Sequence, residues 1–243
     1  MATHHRLDSI VTSMEEADDR RLSPNYFLLR YRIKSLLPRL KGSRVLELGC
    51  AEGGMTKALV ECFPRVVIVE GSQVLLKRAR QNVKARNATF CCSFFEDFEP
   101  DGTFSSIIMS HIIEHLDNPI AFLKRASKWL APKGLIHIIV PNAEALNRRI
   151  GKEMGMLKRL DELHERDRRV GHLRVYSRKT LFTDIKAAGL KIVHWDGIFL
   201  KPLSDAQMQG WDEKLLDAFF EVGRELPEYC SEIYVECTPK EAK

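Results

Sequence analysis

The sequence predicts a doubly wound α/β fold: an open, mostly parallel sheet of seven strands, with helices on both faces and an antiparallel edge strand. Three observations carry this expectation. Short apolar stretches rich in Val, Ile and Leu alternate with amphipathic segments, the pattern of strands buried on both faces. The first of these stretches runs through a glycine turn into a helix, VLELGCAEGG (45–54). Finally, 243 residues, 44% hydrophobic and 29% charged, suit one globular domain and not a disordered or fibrous chain.

Taken in order, NYFLLRYRIKSLLPRL (25–40) places apolar residues at helical spacing after a Ser23-Pro24 start signal. RVLELG (44–49) is the first strand, followed by a helix to about Phe63. RVVIVE (65–70) reads as a buried strand and QVLLKRARQNVKA (73–85) as an amphipathic helix. ATFCC (88–92) and SSIIMS (105–110) are further strands. A helix over Pro119–Leu130 has Asn118 as N-cap and Pro119 at its first position, and GLIHIIVP (134–141) is another strand. A helix over Ser177–Ala188 stops at Gly189, before a strand over 190–200. Asp205–Gly223 is expected as a helix and EIYVEC (232–237) as the closing strand, antiparallel on the edge. The whole chain, 1–243, is expected to be one domain: an N-terminal helical cap (1–42), a ligand-binding half (43–142), a lid or substrate insertion (143–176) and the C-terminal half of the sheet (177–243). The stretch 143–176 is too long for a plain connection.

Several classes are set aside by composition. No apolar run approaches the roughly 18–20 residues that span a bilayer. The stretch MATHHRLDSIVTSMEEADD lacks the apolar core of a secretory signal, and a cytoplasmic protein is the expectation. Six cysteines show no metal-ligand spacing, so they are expected as reduced, buried thiols.

The glycine turn identifies the ligand chemistry. Ligands of open α/β sheets bind at the carboxyl ends of strands, and a turn opening a helix favours anions. Read as GxGxxG, the positions fall on Gly49, Ala51 and Gly54, so the middle glycine that admits a pyrophosphate is missing. Glu47, at the strand end, would repel a pyrophosphate but pair with an ammonium or sulfonium group. Glu70 ends the next strand, 21 residues after Gly49, where an acid accepts hydrogen bonds from ribose hydroxyls. A phosphate-free nucleoside with a cationic amino-acid tail fits both acids better than a dinucleotide.

ELGCAEGG followed by IVEGS resembles the first two signature motifs of class I S-adenosylmethionine-dependent methyltransferases, a Rossmann-like family. The resemblance implies S-adenosylmethionine as cofactor and S-adenosylhomocysteine as product. It places Glu47, Gly49, Ala51 and Gly53 around the methionine part, and Glu70 with Gly71 at the ribose. The family usually has glycine where Ala51 stands. Phe94 and Phe95, in SFFEDF (93–98), stand where an adenine-side acid is often found; stacking on the base and plain core packing are both open readings.

SHIIEHLDNP (110–119) follows the fourth strand and resembles the E/H-x-x-E-H-x-x-x-P stretch of a subfamily that includes the ubiquinone-biosynthesis O-methyltransferases. The likeness runs from about Arg44 to Ala143, and loosely through GHLRVYS (171–177). A sulfonium methyl is already activated, so the enzyme must chiefly align a nucleophile; a base is needed only where the nucleophile must lose a proton. His111, His115 and His172 are the candidate bases, and His111 is also placed beside the cofactor. His111 and His115 would share a face if 111–115 were a helical turn. HxxEH also matches a zinc peptidase motif, but that motif belongs on a long helix. A divalent metal on His111, Glu114 and His115 is an option; a metal-free site is the preferred expectation. Capping or orienting the loop is the plainer role for Glu114 and His115.

Net charge is +5, and between Arg148 and Lys179 Lys and Arg number 11 against 5 acids. This basic segment reads as a solvated cover over the pocket, as an attractor of an anionic acceptor, or as a face for an anionic membrane or RNA. Tyr26, Glu114, Asn142, Arg174 and Tyr176 are expected to bind substrate, and Arg30 with Tyr26 to close over the cofactor. The acceptor is expected to be a small molecule methylated on O or N. The stacking motif of amino-group nucleic-acid methyltransferases is absent. Two alternatives stand beside this reading: an RNA or protein methyltransferase docking through 142–179, and a non-catalytic cofactor-binding scaffold.

Overall fold

The computed structural model describes residues 25–240 and Asp8. Strands β1 (Arg44–Leu48), β2 (Arg65–Glu70), β3 (Ala88–Cys92), β4 (Phe104–Ser110), β5 (Leu130–Pro141), β6 (Leu190–Ile198) and β7 (Glu232–Pro239) form one sheet in the order β3-β2-β1-β4-β5-β7-β6. The first five are parallel, and β7 runs antiparallel to both β5 and β6. The doubly wound, mostly parallel fold is thus the one expected. The antiparallel strand differs in place: β7 lies between β5 and β6, and β6 forms the edge. Its residues are almost wholly buried, EIYVEC included, as an interior position requires.

Period-two alternation buries both faces of the sheet. On β1, Leu46 and Leu48 join one core with Ile107, Met109, Ile138 and Val140, while Val45 joins the opposite core with Ile108 and Ile139. Helices α2 (Gly54–Cys62), α3 (Gln73–Asn82), α4 (Pro119–Ala126) and α7 (Arg178–Ala187) cover these faces. Their starts follow local chemistry: Ser72, Asn118 and Ser177 accept hydrogen bonds from the backbone of Leu75, Ala121 and Thr180.

The N-terminal helix α1 (Asn25–Leu36) docks on the C-terminal part of the chain. Tyr31 is stacked between Phe199 and Phe220 and donates a hydrogen bond to Asp217, 2.9 Å away on helix α8 (Glu213–Gly223). Helix α8 is shorter than the expected 205–223, because Asp212 caps it by accepting from the backbone of Lys214 and Leu215. The insertion 143–176 holds two short helices, α5 (Leu146–Glu153) and α6 (Glu165–Arg169). Within it Met154 and Met156 are exposed and Leu157 is buried.

No described helix is long and apolar enough to cross a membrane. The cysteines are free, as expected, but Cys62 and Cys92 are exposed.

Candidate active site

The strand order reverses between β1 and β4, and the candidate residues gather at the carboxyl ends there. After Leu48 the chain turns sharply: Gly49 has φ +74°, Ala51 φ +47° and Gly53 φ +85°. Ala51 therefore holds a left-handed conformation that glycine takes more easily. A Cβ on Gly49 would come within 2.3 Å of Ile112 Cδ1 and 3.6 Å of Phe95 Cζ. The turn, Phe95 and the segment after β4 are thus in mutual contact.

Glu47 and Glu70 are both buried here. Glu47 accepts a hydrogen bond from Thr56 Oγ1 at 2.6 Å, in the first turns of α2. Burial, opposed by that bond and helped by the charge of Glu70, pushes the Glu47 carboxyl up to about 8. Glu70 is also raised by burial, while the backbone N–H groups that it accepts from pull the other way. It accepts from Ser72 N at 2.8 Å and from Ala51 N at 3.3 Å, so it pins the two turns together. Gly71 is buried between them. Phe95 packs against the core and lies 6.3 Å from the Phe122 ring; Phe94 is partly exposed. Two buried acids in a turn held open by glycines suit a ligand with hydroxyl and ammonium donors and no phosphate. Asp8, Gln73, Lys77, Arg80 and Cys92 line a cavity of about 660 Å³ beside the ends of β2 and β3.

Residues 111–115 form a non-helical turn, with His111 at φ +57°. His111 and His115 therefore do not share a helical face. His111 Nδ1 lies 3.3 Å from Glu114 Oε1 and its Nε2 lies 3.1 Å from Glu232 Oε1. Burial and Arg32 press its pKa down, but the two carboxylates outweigh them and hold it above the ordinary value. Both nitrogens of His111 thus face acids. Arg32 binds Glu232 through Nε, at 3.0 and 2.9 Å to the two oxygens. Burial notwithstanding, Arg32 and His111 pull Glu232 down to about 2.

Glu114 is fully buried, and among the described residues neither of its oxygens has a hydrogen-bond partner. The His115 and His172 rings meet edge to face, 4.7 Å apart. His172 Nδ1 lies 3.1 Å from Asp167 Oδ1, and Arg148 lies 3.6 Å from the other Asp167 oxygen. Glu114, His115 and His172 each offer a ligand atom, all within 4.8 Å of one another. The grouping replaces the His111, Glu114 and His115 set read from sequence. Arg32, Glu232, Asp167 and Arg148 carried no local sequence signal, since each meets its partner only through the fold.

Three expected substrate contacts have other partners. The Asn142 amide donates to the carbonyls of Glu228 and Cys230 and accepts from Glu144 N, so it bridges loops and has no hydrogen to offer a ligand. Arg174 donates to the carbonyls of Ile113, Leu116 and Asp117, clamping the 111–117 turn. Tyr176 is buried and donates to Asp184 at 3.0 Å. Arg174 and Tyr176 do line a cavity of about 500 Å³ with Leu163, Arg168 and Asp184. The Tyr26 side chain lies outside the described residues. Arg30 pairs with Asp217 and Glu213, so it faces α8 and not the glycine turn.

Much of the basic segment is paired: Arg149 with Glu144, Arg159 with Asp161, Arg166 with Asp205, Arg169 with Glu165 and Arg178 with Glu228. Such pairing leaves less free charge for an anionic partner than the sequence count suggests.

Residues 21–195 match a family model described as a methyltransferase domain. A ubiquinone biosynthesis O-methyltransferase of Bradyrhizobium diazoefficiens is 28% identical over 105 residues, and the match covers 42% of either chain. The chain thus spans under half the length of that relative. A ubiquinone biosynthesis O-methyltransferase of Rhodopseudomonas palustris is 23% identical over 84% of this chain and 78% of its own length. Among solved structures, the N-methyltransferase NodS of Bradyrhizobium japonicum, in complex with S-adenosylhomocysteine, superposes with a TM-score of 0.58 at 16% identity over 88% of each chain. An S-adenosylmethionine-dependent methyltransferase of Mesorhizobium loti superposes with a TM-score of 0.61 at 18% identity, over 85% of this chain and 95% of the other. At these identities the structural likeness is one of fold.

Proposed function

Since the chain belongs to the methyltransferase domain family, we propose that it moves the methyl group of S-adenosylmethionine to an oxygen or nitrogen of a small-molecule acceptor. The observation that carries this reading is the pair of buried acids, Glu47 and Glu70, at the ends of β1 and β2 on either side of the Gly49 turn. Bound S-adenosylmethionine supplies a methyl group on a sulfonium sulfur, which departs as the thioether with its bonding electron pair when the acceptor's lone pair arrives.

The protein's own residues do the rest. Glu70 accepts from the ribose hydroxyls, and the backbone of Gly71 lines that end. Glu47 and the Gly49–Gly53 turn hold the amino-acid part. Glu47, raised by burial, loses its proton as a cationic group approaches. Phe95, beside Gly49, offers an apolar wall toward the base. The acceptor proton leaves toward the Glu114, His115 and His172 group, and His111 and Arg174 hold that group in place rather than touching the acceptor. The scaffold and macromolecular readings are less favoured, the latter because so many cations of 142–179 are already paired.

Calorimetric titration with S-adenosylmethionine and S-adenosylhomocysteine tests the reading. Saturable binding is expected, weakened at least about tenfold (~1.4 kcal/mol) in Glu70→Ala and blocked in Gly49→Val. Unchanged affinity in both variants would sink the site assignment. A screen of hydroxyl and amine acceptors then identifies the substrate.

A further inference from the structure

We infer that a second copy of this chain docks on the outer face of α8, as a two-fold antiparallel pair of α8 helices. The inference concerns assembly and does not rest on the methyl-transfer reading.

The first observation is a helix with two apolar faces. Helix α8 buries one of them against its own chain. Phe220 stacks on Tyr31 with ring centroids 4.7 Å apart. Gly223 lies so close to the loop after β6 that a Cβ would meet Leu200 N at 2.9 Å. A helix that covers a core on one side ordinarily presents polar residues on the other. Here Leu215 and Val222, about two turns apart and so in one line, are 43% and 46% exposed. Exposed Ala218 lies between them. The turns that follow α8 extend the line through Leu226 and Tyr229, at 42% and 38%. Of the eight large hydrophobics exposed among the described residues, four fall on this one stretch. Single exposed apolar residues need no explanation, whereas a row of them marks an interaction surface.

The second observation is the charge beside the row. Three acids of α8 already have partners on α1: Glu213 and Asp217 pair with Arg30, and Glu221 with Lys34. Lys214 and Glu225 are exposed, and among the described residues neither has an ion-pair partner. They stand about three turns apart and therefore on the same flank of the apolar row. In an antiparallel pair with a two-fold axis, each flank meets the same flank of the other copy. A cation and an acid on that flank then complete each other twice.

The third observation is register. In such a pair, residues that face each other must share one midpoint in the sequence. Lys214 with Glu225, Ala218 with Val222 and Leu215 with Leu226 all have theirs at or beside Phe220. One axis at that level brings charge to opposite charge, a small residue to a branched one, and leucine to leucine. Recognition of an unrelated protein requires no shared midpoint; a self-complementary contact does.

With 11 residues, α8 is only about 16 Å long. The contact is thus smaller than that of an obligate dimer, and micromolar association is expected. The opposite face of α8 holds Arg30 and Tyr31, so pairing also braces α1, the helix that carries Arg32.

Sedimentation velocity of the full, tag-free chain from about 1 to 100 µM tests this. Monomer is expected to pass into dimer across that range. Lys214→Glu should weaken the dimer at least about tenfold, because like charges then meet twice. Adding Glu225→Lys should bring affinity back to within about threefold of wild type. Val222→Glu sets a carboxylate from each copy against the apolar row and should weaken the dimer at least about a hundredfold. All three positions are exposed in the single chain, and far-UV circular dichroism checks that each variant is folded. The proposal is overturned if wild type stays monomeric throughout, a result that needs no variant and leaves the row to an unrelated protein. It is equally overturned if a dimer forms but survives Val222→Glu unchanged. Failure of the double exchange to recover what Lys214→Glu loses would overturn it as well.

Discussion

The Thr56 hydroxyl reaches back from α2 to donate to Glu47 at 2.6 Å, placing a single neutral donor against a fully buried carboxyl at the end of β1. That one bond offsets only part of the burial, which is why Glu47 stands at about 8 against an ordinary 4.5.

A pH dependence of stability follows from this. A carboxyl whose pKa is higher in the folded state than in the unfolded chain holds its proton longer when folded. Its contribution is full below about 4.5 and is lost as pH rises toward about 8. The cofactor-free protein should lose about 5 °C or more in Tm between pH 5 and 8, at ~2–4 °C per kcal/mol. Glu47→Gln should flatten this slope, raise Tm at pH 8 and weaken cofactor binding. Thermal melts across the range check it; an equal slope in both proteins would refute the assignment.

Gly49 is constrained twice, by φ +74° and by Ile112 Cδ1 at 2.3 Å from a would-be Cβ. Gly49→Ala should destabilise by about 1–3 kcal/mol in urea unfolding. Adding Ile112→Ala should recover only part of that loss, because the backbone angle is unchanged. Full recovery in the double variant would show that contact alone matters.

Arg32 and Glu232 form a buried pair, with side chains 11% and 3% exposed. Arg32→Ala strands Glu232 and should cost about 3–5 kcal/mol. Arg32→Lys should retain part of the loss, since it keeps the charge but not the fork. Denaturant midpoints decide; a change below about 1 kcal/mol, small beside the cost of an unpaired buried charge, would mean that His111 alone suffices for Glu232.

Arg174 holds the carbonyls of Ile113 and Leu116, the latter at 2.5 Å. Arg174→Ala should lower kcat by about tenfold or more through misplacement of the turn, with cofactor affinity kept. Arg174→Lys should restore little, because one ammonium cannot span the same carbonyls. Were KM for the acceptor to rise at constant kcat instead, Arg174 would be a substrate contact after all.

The parts legible in sequence were those set by local pattern. Strand β2 over 65–70 and β3 over 88–92 fall where the apolar runs placed them, and Asn118 and Ser177 cap the helices they were read to start. Placement of β7 was not legible, because an antiparallel return has no crossover to fix its neighbour. The arrangement of the histidines was only partly legible for a related reason. A five-residue spacing suggested a helical face for His111 and His115, but a left-handed residue at His111 turns the two apart, and His172 arrives from another segment. Charge counting also misled: acids that neutralise Arg166 and Arg178 are Asp205 and Glu228, distant in sequence.

Arg32 and Glu232 lie 200 residues apart, and Tyr31 reaches Asp217 across a similar span. On the ribosome, α1 emerges before the partners of its aromatic face, Phe199 and Phe220, and last of all before Glu232, the partner of Arg32. Chaperone occupancy or protease sensitivity of α1 in stalled nascent chains should therefore end only when residues through β7 clear the exit tunnel, with docking of that helix as a late assembly step.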